Sequence, residues 1–266
     1  MSFTDPTAAR SLKACERIDR VNDNIELIQR TDGLTFGTDA LLLAAYMDKC
    51  CGRALEIGGG TGIISLLLLT RCKLKSVDVC EVQAEFAEIC ERNALINGLS
   101  DRMTVIHTDV RSLESERQYD VIFSNPPYMK ATSGRANESS GKNAARHEVN
   151  GDIRDFLLAA KRLLKYGGSF YAVYRPDRLT DLVTAMRGAG IEPKRMTMVH
   201  ADEHSEPSML LVEGRAGGGV GMRLTRPLFI FGDGAHKTEG EDMKFITENG
   251  SFSEEFYNKN RGRKNG

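Results

Sequence analysis

From residue 53 onward the chain alternates short apolar runs with longer stretches of helical period. Residues 53–58 predict a strand and 62–71 a helix. Residues 74–80 predict a second strand, and 83–97 a helix ended by Gly98. Strands follow at 103–108 and 120–124, then a helix over 153–165 stopped by Gly167-Gly168 and a strand over 169–174. A helix over 176–188 carries Pro176 in its first turn. The strand-like runs 195–200 and 209–213 come last, with no helical pattern between them. Such an order predicts an α/β fold with a doubly wound, mostly parallel sheet covered on both faces, the closing pair supplying one antiparallel strand. Ahead of this core, 25–29 suits a strand and 39–46 a helix with Thr38 or Asp39 as its cap. Residues 222–231 contain one more strand. Three regions follow: an extension over 1–50 packing on the core, a catalytic domain over 51–231, and a polar tail over 232–266 expected to be mobile.

Composition adds little to this picture. The 266 residues are 41% hydrophobic and 27% charged, as in ordinary globular proteins. The apolar runs are too short to span a bilayer, and the N-terminus lacks the order of a signal peptide. The six cysteines show neither a CxxC pair nor metal-ligand spacing. Reduced thiols of a cytoplasmic protein are the expectation, with no metal and no membrane association. A net charge of −1 does not advertise nucleic-acid binding. Local charge does differ. The long polar loop 129–150 carries Lys130, Arg135, Lys142 and Arg146 against Glu138 before His147 is reached, and the end of the tail is basic.

The chemistry begins where the first core strand ends. Leu55-Glu56-Ile57-Gly58-Gly59-Gly60-Thr61-Gly62 runs from strand directly into helix, and ligands bind at the carboxyl ends of parallel strands. Ile63 occupies the position where a dinucleotide fingerprint requires its last glycine, so Gly58, Gly60 and Gly62 suit a ligand without a pyrophosphate. Glu56 beside them would repel phosphate and attract a positive group. Glu81 follows the second strand, where an acid accepts from both ribose hydroxyls; Asp78 is the competing acid. Asp109 follows the third, where it can accept from the exocyclic amine of adenine. Together they describe a pocket for an adenosine with a cationic tail, a description that S-adenosyl-L-methionine fits.

The glycine loop, Glu81, Asp109 and Asn125-Pro126-Pro127-Tyr128 resemble the seven-stranded class I S-adenosylmethionine-dependent methyltransferases. The NPPY tetrapeptide marks those that methylate amino groups. Phe36-Gly37-Thr38-Asp39-Ala40-Leu41-Leu42-Leu43, Ala145-Arg146-His147-Glu148, and His200 with Leu211-Val212-Glu213-Gly214 are similar to the bacterial tRNA(Val) adenine N6-methyltransferases. The likeness covers roughly residues 16 to 231.

This resemblance implies an RNA substrate with an unpaired adenine in the anticodon loop of a valine tRNA. The Asn125 side-chain oxygen and the Pro126 carbonyl would each accept one N–H of the target amine, leaving its lone pair free to face the methyl group. Pro127 fixes the turn, Tyr128 stacks on the base, and Ser124 ends the strand. Thr38, Asp39 and Asn125 are implied near the methionine end of the cofactor. Lys130, Arg146 and His147 are implied against RNA, although a salt bridge of Arg146 and His147 with Glu148 is the plainer alternative. A buried structural role is expected for His200. Competing readings are glutamine methylation of a release factor, which shares NPPY, and methylation of a ribosomal RNA base amine.

Overall fold

A computed structural model describes residues 5–32, 35–116, 118–126 and 152–257. Two segments precede the core: a short helix α1 (Pro6–Ala9) and an antiparallel hairpin of β1 (Glu16–Asn22) and β2 (Ile25–Arg30). Helix α2 (Thr38–Tyr46) comes next. The alternating core is β3 (Ala54–Ile57), α3 (Ile63–Thr70), β4 (Val77–Glu81), α4 (Ala84–Ile96), β5 (Met103–His107) and β6 (Tyr119–Ser124). It continues with α5 (Ile153–Leu163), β7 (Leu164–Tyr174), α6 (Leu179–Gly188), β8 (Ile191–His200) and β9 (Pro207–Ala216). The two-residue strands β10 (Arg223–Leu224) and β11 (Leu228–Phe229) and the helices α7 (Glu241–Asn249) and α8 (Glu254–Tyr257) complete the described chain.

The long strands lie in the order β5-β4-β3-β6-β7-β9-β8, and β10 and β11 both pair with β8 to give a nine-stranded sheet. Every pairing in it is parallel except those of β9 with β7 and β8. The expected doubly wound sheet with one antiparallel strand is therefore what forms. Alternation along each strand divides the core between two faces. Val121 and Phe123 of β6 join Leu42, Leu66 and Tyr171 on one side, while Tyr119 and Ile122 join Leu55, Phe156 and Phe170 on the other. Between the faces, the switch from β3 outward to β4 on one side and to β6 on the other opens the crevice where such sheets bind ligands.

Several expectations shift. The helix over 153–165 ends at Leu163, and β7 runs straight through the two glycines that were to separate it from that helix. Gly167 (φ 76°) lies in the stretch between Leu164 and Ser169 over which the register of β7 with β6 shifts. The single strand expected over 222–231 is divided in two around Pro227, which has no N–H to donate. The α2 cap is Gly37 rather than Thr38 or Asp39, which are the first two helical residues.

The largest departure is at the C-terminal side. Residues 241–257, placed in a polar mobile tail, form two helices that bury Met243, Ile246, Phe252 and Phe256 in the face shared with α2. The Phe252 ring meets Tyr46 edge-on at 5.6 Å. The Arg195 guanidinium lies over both Tyr46 (4.4 Å) and Tyr257 (4.6 Å), clamping these distant parts of the chain together. Four apolar side chains among polar neighbours were enough for packing, although their spacing is too irregular to show as a period. The last residues of the tail and the loop 129–150 lie outside the described residues.

Candidate active site

Three strand ends meet at the crevice. Ile57, the last residue of β3, is in register with Cys80 of β4 on one side and with Ser124 of β6 on the other. The glycine loop leaves β3 here, and Gly58 N–H donates back to the Cys80 carbonyl at 2.8 Å. Gly62 ends the loop as the left-handed N-cap of α3 (φ 79°). A Cβ at Gly62 would lie 2.5 Å from Met103 Cε and 2.7 Å from Cys90 Sγ, so this glycine is required by helix–sheet packing as well as by its turn. Gly60 (φ 55°) differs, because a Cβ there would meet nothing within 4 Å. Its outer side is open to a ligand, and that is the side on which backbone can approach one.

Glu81 is buried at the end of β4. Its carboxylate accepts from Gly60 N–H and from Gln83 N–H, each at 2.8 Å, and so bridges the glycine loop to the start of α4. Two lone pairs beyond these remain for the ribose hydroxyls of an adenosine. Asp78 faces elsewhere, held by Arg53 at 2.9 Å and by the Tyr119 hydroxyl at 2.8 Å. Asp109 stands beyond β5, partly exposed. The Arg111 side chain and backbone N–H bind its carboxylate and pull its pKa below the usual range. These groups, with the open face at Gly60, fit an adenosine-bearing cofactor in shape and in donor–acceptor character.

Glu56 is not on the surface of the loop. It is buried beneath it and accepts from the Ser65 hydroxyl on α3. Burial pushes its carboxyl up to about 8. At neutral pH the neutral form predominates, so Glu56 braces the loop from below and does not supply the negative charge expected of it. A carboxyl with a folded pKa above its ordinary 4.5 stabilises the fold fully at low pH and loses that contribution as pH rises through the window from 4.5 to about 8. Glu56→Gln keeps an acceptor for Ser65 and removes the titration. Thermal melts between pH 5 and 9 should show the wild type losing stability relative to this variant as pH rises from 5 to about 8, with no further loss above that. Parallel pH profiles for the two proteins would refute the assignment.

On the other side of Ile57, Ser124 is fully buried and donates its hydroxyl to the Ile57 carbonyl at 2.7 Å. It ties the residue just before Asn125-Pro126 to the start of the glycine loop, a contact that its sequence position alone did not suggest. Asn125 Nδ2 donates to Asp39 Oδ2 at 2.8 Å. Asn93 on α4 adds a third tie, exchanging hydrogen bonds with the Ile28 backbone and donating to the Thr61 carbonyl at 2.9 Å. Nothing in the local pattern marks Asn93 apart from its being an amide on a buried helix face.

A cleft of about 790 Å³ lies between the start of α2, the carboxyl end of β7 and the amino end of β9. Thr38, Asp39, Tyr174, Arg175, Pro207 and Met209 are among its lining residues. Thr38 and Asp39 therefore border this cleft, and Asp39 also bonds Asn125. His200, for which a buried structural role was expected, is half-buried, with Nδ1 2.7 Å from the Ser205 carbonyl. Pro127, Tyr128, Lys130, Arg146 and His147 lie outside the described residues. No group of three or more potential metal ligands occurs among the described residues, and none of their helices is long and apolar enough to cross a membrane.

Comparison with known proteins agrees with this arrangement. The methyltransferase small domain family matches residues 30–183. A tRNA1(Val) (adenine(37)-N6)-methyltransferase of Dyadobacter fermentans is 30% identical over 196 residues, which are 73% of this chain and 81% of that protein. The protein of the same name from Phocaeicola vulgatus is 32% identical over 177 residues, 66% of this chain and 74% of that one. Among solved structures, a predicted O-methyltransferase from Agrobacterium tumefaciens superposes with a TM-score of 0.65 at 19% identity, over 81% of this chain and 98% of that one. That likeness speaks for the fold. With a family match spanning more than half its length and relatives of this similarity, the chain belongs to the methyltransferase small domain family.

Proposed function

We propose that this protein is an S-adenosylmethionine-dependent methyltransferase that modifies the N6 amine of adenine 37 in tRNA1(Val), as the names of its relatives describe for them. The observation that carries the reading is the position of Asn125. It directly follows β6, whose last residue Ser124 is tied to the glycine loop, and it bonds Asp39, which lines a cleft of about 790 Å³. A cleft of this size accommodates a nucleotide, and Tyr174, Pro207 and Met209 offer it flat or apolar wall. The relatives' names give no support to the release-factor or ribosomal RNA alternatives.

S-Adenosylmethionine supplies a methyl group already activated by its sulfonium, so the protein's task is placement more than activation. Glu81 and the open face at Gly60 hold the ribose side, and Asp109 receives the adenine amine. Gly58 and Gly62 shape the loop, while Glu56 braces it. An exocyclic amine is a poor nucleophile because its lone pair is delocalised into the ring. The Asn125 side-chain oxygen and the Pro126 carbonyl accept its two hydrogens and direct the lone pair toward the methyl group. Holding the two reactants in line this way is worth up to about 7–11 kcal/mol of barrier. Pro127 stiffens the turn and Tyr128 stacks on the base. Lys130, Arg146 and His147 engage the RNA backbone and supply the local positive charge that a protein of net charge −1 must concentrate. The catalytic unit in this reading is 51–231, with 1–50 packed on it as an extension.

Incubation with methyl-labelled cofactor and separate pools of tRNA, ribosomal RNA and release factor tests the proposal. Label is expected in tRNA, and should disappear when adenine 37 of the valine isoacceptor is replaced by guanine. Label in the release factor and none in tRNA would overturn it.

A further inference from the structure

We propose that Asp39 is a positioning residue that decides which end of the Asn125 amide faces the acceptor amine, an assignment that rests on the methyl-transfer reading above. Asp39 uses both carboxylate oxygens. Oδ1 accepts from Ala40 N–H at 2.9 Å and Oδ2 accepts from Asn125 Nδ2 at 2.8 Å. A carboxylate has no proton to give, so only the NH2 end of the amide can face it. The amide carries its oxygen and nitrogen on opposite branches, and fixing Nδ2 against Asp39 turns Oδ1 to the other side. In the reverse orientation Oδ1 would lie against a carboxylate, and two N–H groups would point at an amine whose own hydrogens need acceptors. Both contacts are repulsive.

Asp39 is itself held in place. It lies in the first turn of α2, where the helix dipole favours a carboxylate, and that helix is buried along most of its length. Gly37 makes room for it, since a Cβ at residue 37 would come within 2.8 Å of Asp39 Oδ1. The Gly37-Thr38-Asp39 segment thus has a task beyond starting a helix: it transmits a fixed hydrogen-bond polarity to Asn125. A direct contact between Asp39 and the cofactor is the alternative role.

Exchanging the two side chains separates these roles. In Asp39→Asn the new NH2 group faces Asn125 and turns its amide over. In Asn125→Asp two carboxylates confront each other. In the double variant, Asp39→Asn with Asn125→Asp, the amide now at position 39 can donate to the carboxylate now at position 125 while still accepting from Ala40. The polarity is thereby restored with the partners swapped. Each single variant is expected to lose about 10- to 100-fold in kcat for tRNA, with cofactor Kd changed less than about 3-fold. The double variant should regain at least about 10-fold over either single one. Two results would overturn the inference: a double variant no better than the product of its singles, or an Asp39→Asn protein that binds cofactor about tenfold more weakly at unchanged kcat. Should Asp39→Asn fail to fold, Gly37→Ala displaces the same carboxylate and must show the same loss confined to kcat. Wild-type protein inactive on tRNA would instead refute the functional reading.

Discussion

Asn125→Ala is expected to lower methyl transfer to tRNA by about 100- to 1000-fold, the range for removing one preorganised hydrogen-bonding group from a reaction centre. The loss should fall on the single-turnover rate. The truncated side chain no longer accepts an amine hydrogen, but it leaves the cofactor cradle in place. Ser124 at the end of β6 still bonds the Ile57 carbonyl, and Glu81 still binds the glycine loop. Titration calorimetry should therefore give a cofactor Kd within about threefold of wild type, the limit of a lost peripheral contact. A tenfold loss of cofactor affinity with the rate preserved would show that Asn125 belongs to the cradle and not to the acceptor site.

Glu81→Ala should do the reverse. Its carboxylate is buried and joins Gly60 to Gln83, so its removal leaves two backbone donors without their acceptor and takes away the ribose contacts. Charge-assisted hydrogen bonds of this kind contribute about 1.5–3 kcal/mol each, and a loss of about 100-fold or more in cofactor affinity follows. At saturating cofactor the rate should be close to wild type, because Asn125 and its partner Asp39 are untouched. Glu81→Gln keeps one accepting oxygen and should fall between. A variant with unchanged affinity and a depressed saturating rate would remove Glu81 from the cofactor's ribose.

The parts of this structure that were legible in the sequence are those set by local physics. Short apolar runs showed the strands because central ones such as β3 and β6 are buried on both faces, and the glycine loop was visible because its backbone takes positive φ at Gly58, Gly60 and Gly62. Strand β1 was not legible. Its Glu16-Arg17-Ile18-Asp19-Arg20 stretch is mostly charged, and its ladder with β2 forms at the margin of the fold. The same holds for residues 241–257, whose attachment depends on Arg195 and Tyr46, both remote in sequence. Within the site, residue types were legible and their pairings were not. Asp39 and Asn125, Ser124 and Ile57, and Asn93 and Thr61 meet only once the sheet has formed. Glu56 was misread for a related reason: its charge state is set by burial, which no neighbour in the sequence discloses.

Helix α2 gives the chain an order of events during its synthesis. One end of it aims the Asn125 amide; the other, about 10 Å away by helix rise, packs Tyr46 against Phe252. While the nascent chain is still on the ribosome, the strands that make the cofactor cradle have already emerged. The aromatic side chains that seat the far end of α2 have not. Until they do, Tyr46 lacks the aromatic partner that meets its ring in the folded protein. The far end of the helix is then expected to be seated last, after residues 252–257 leave the exit tunnel.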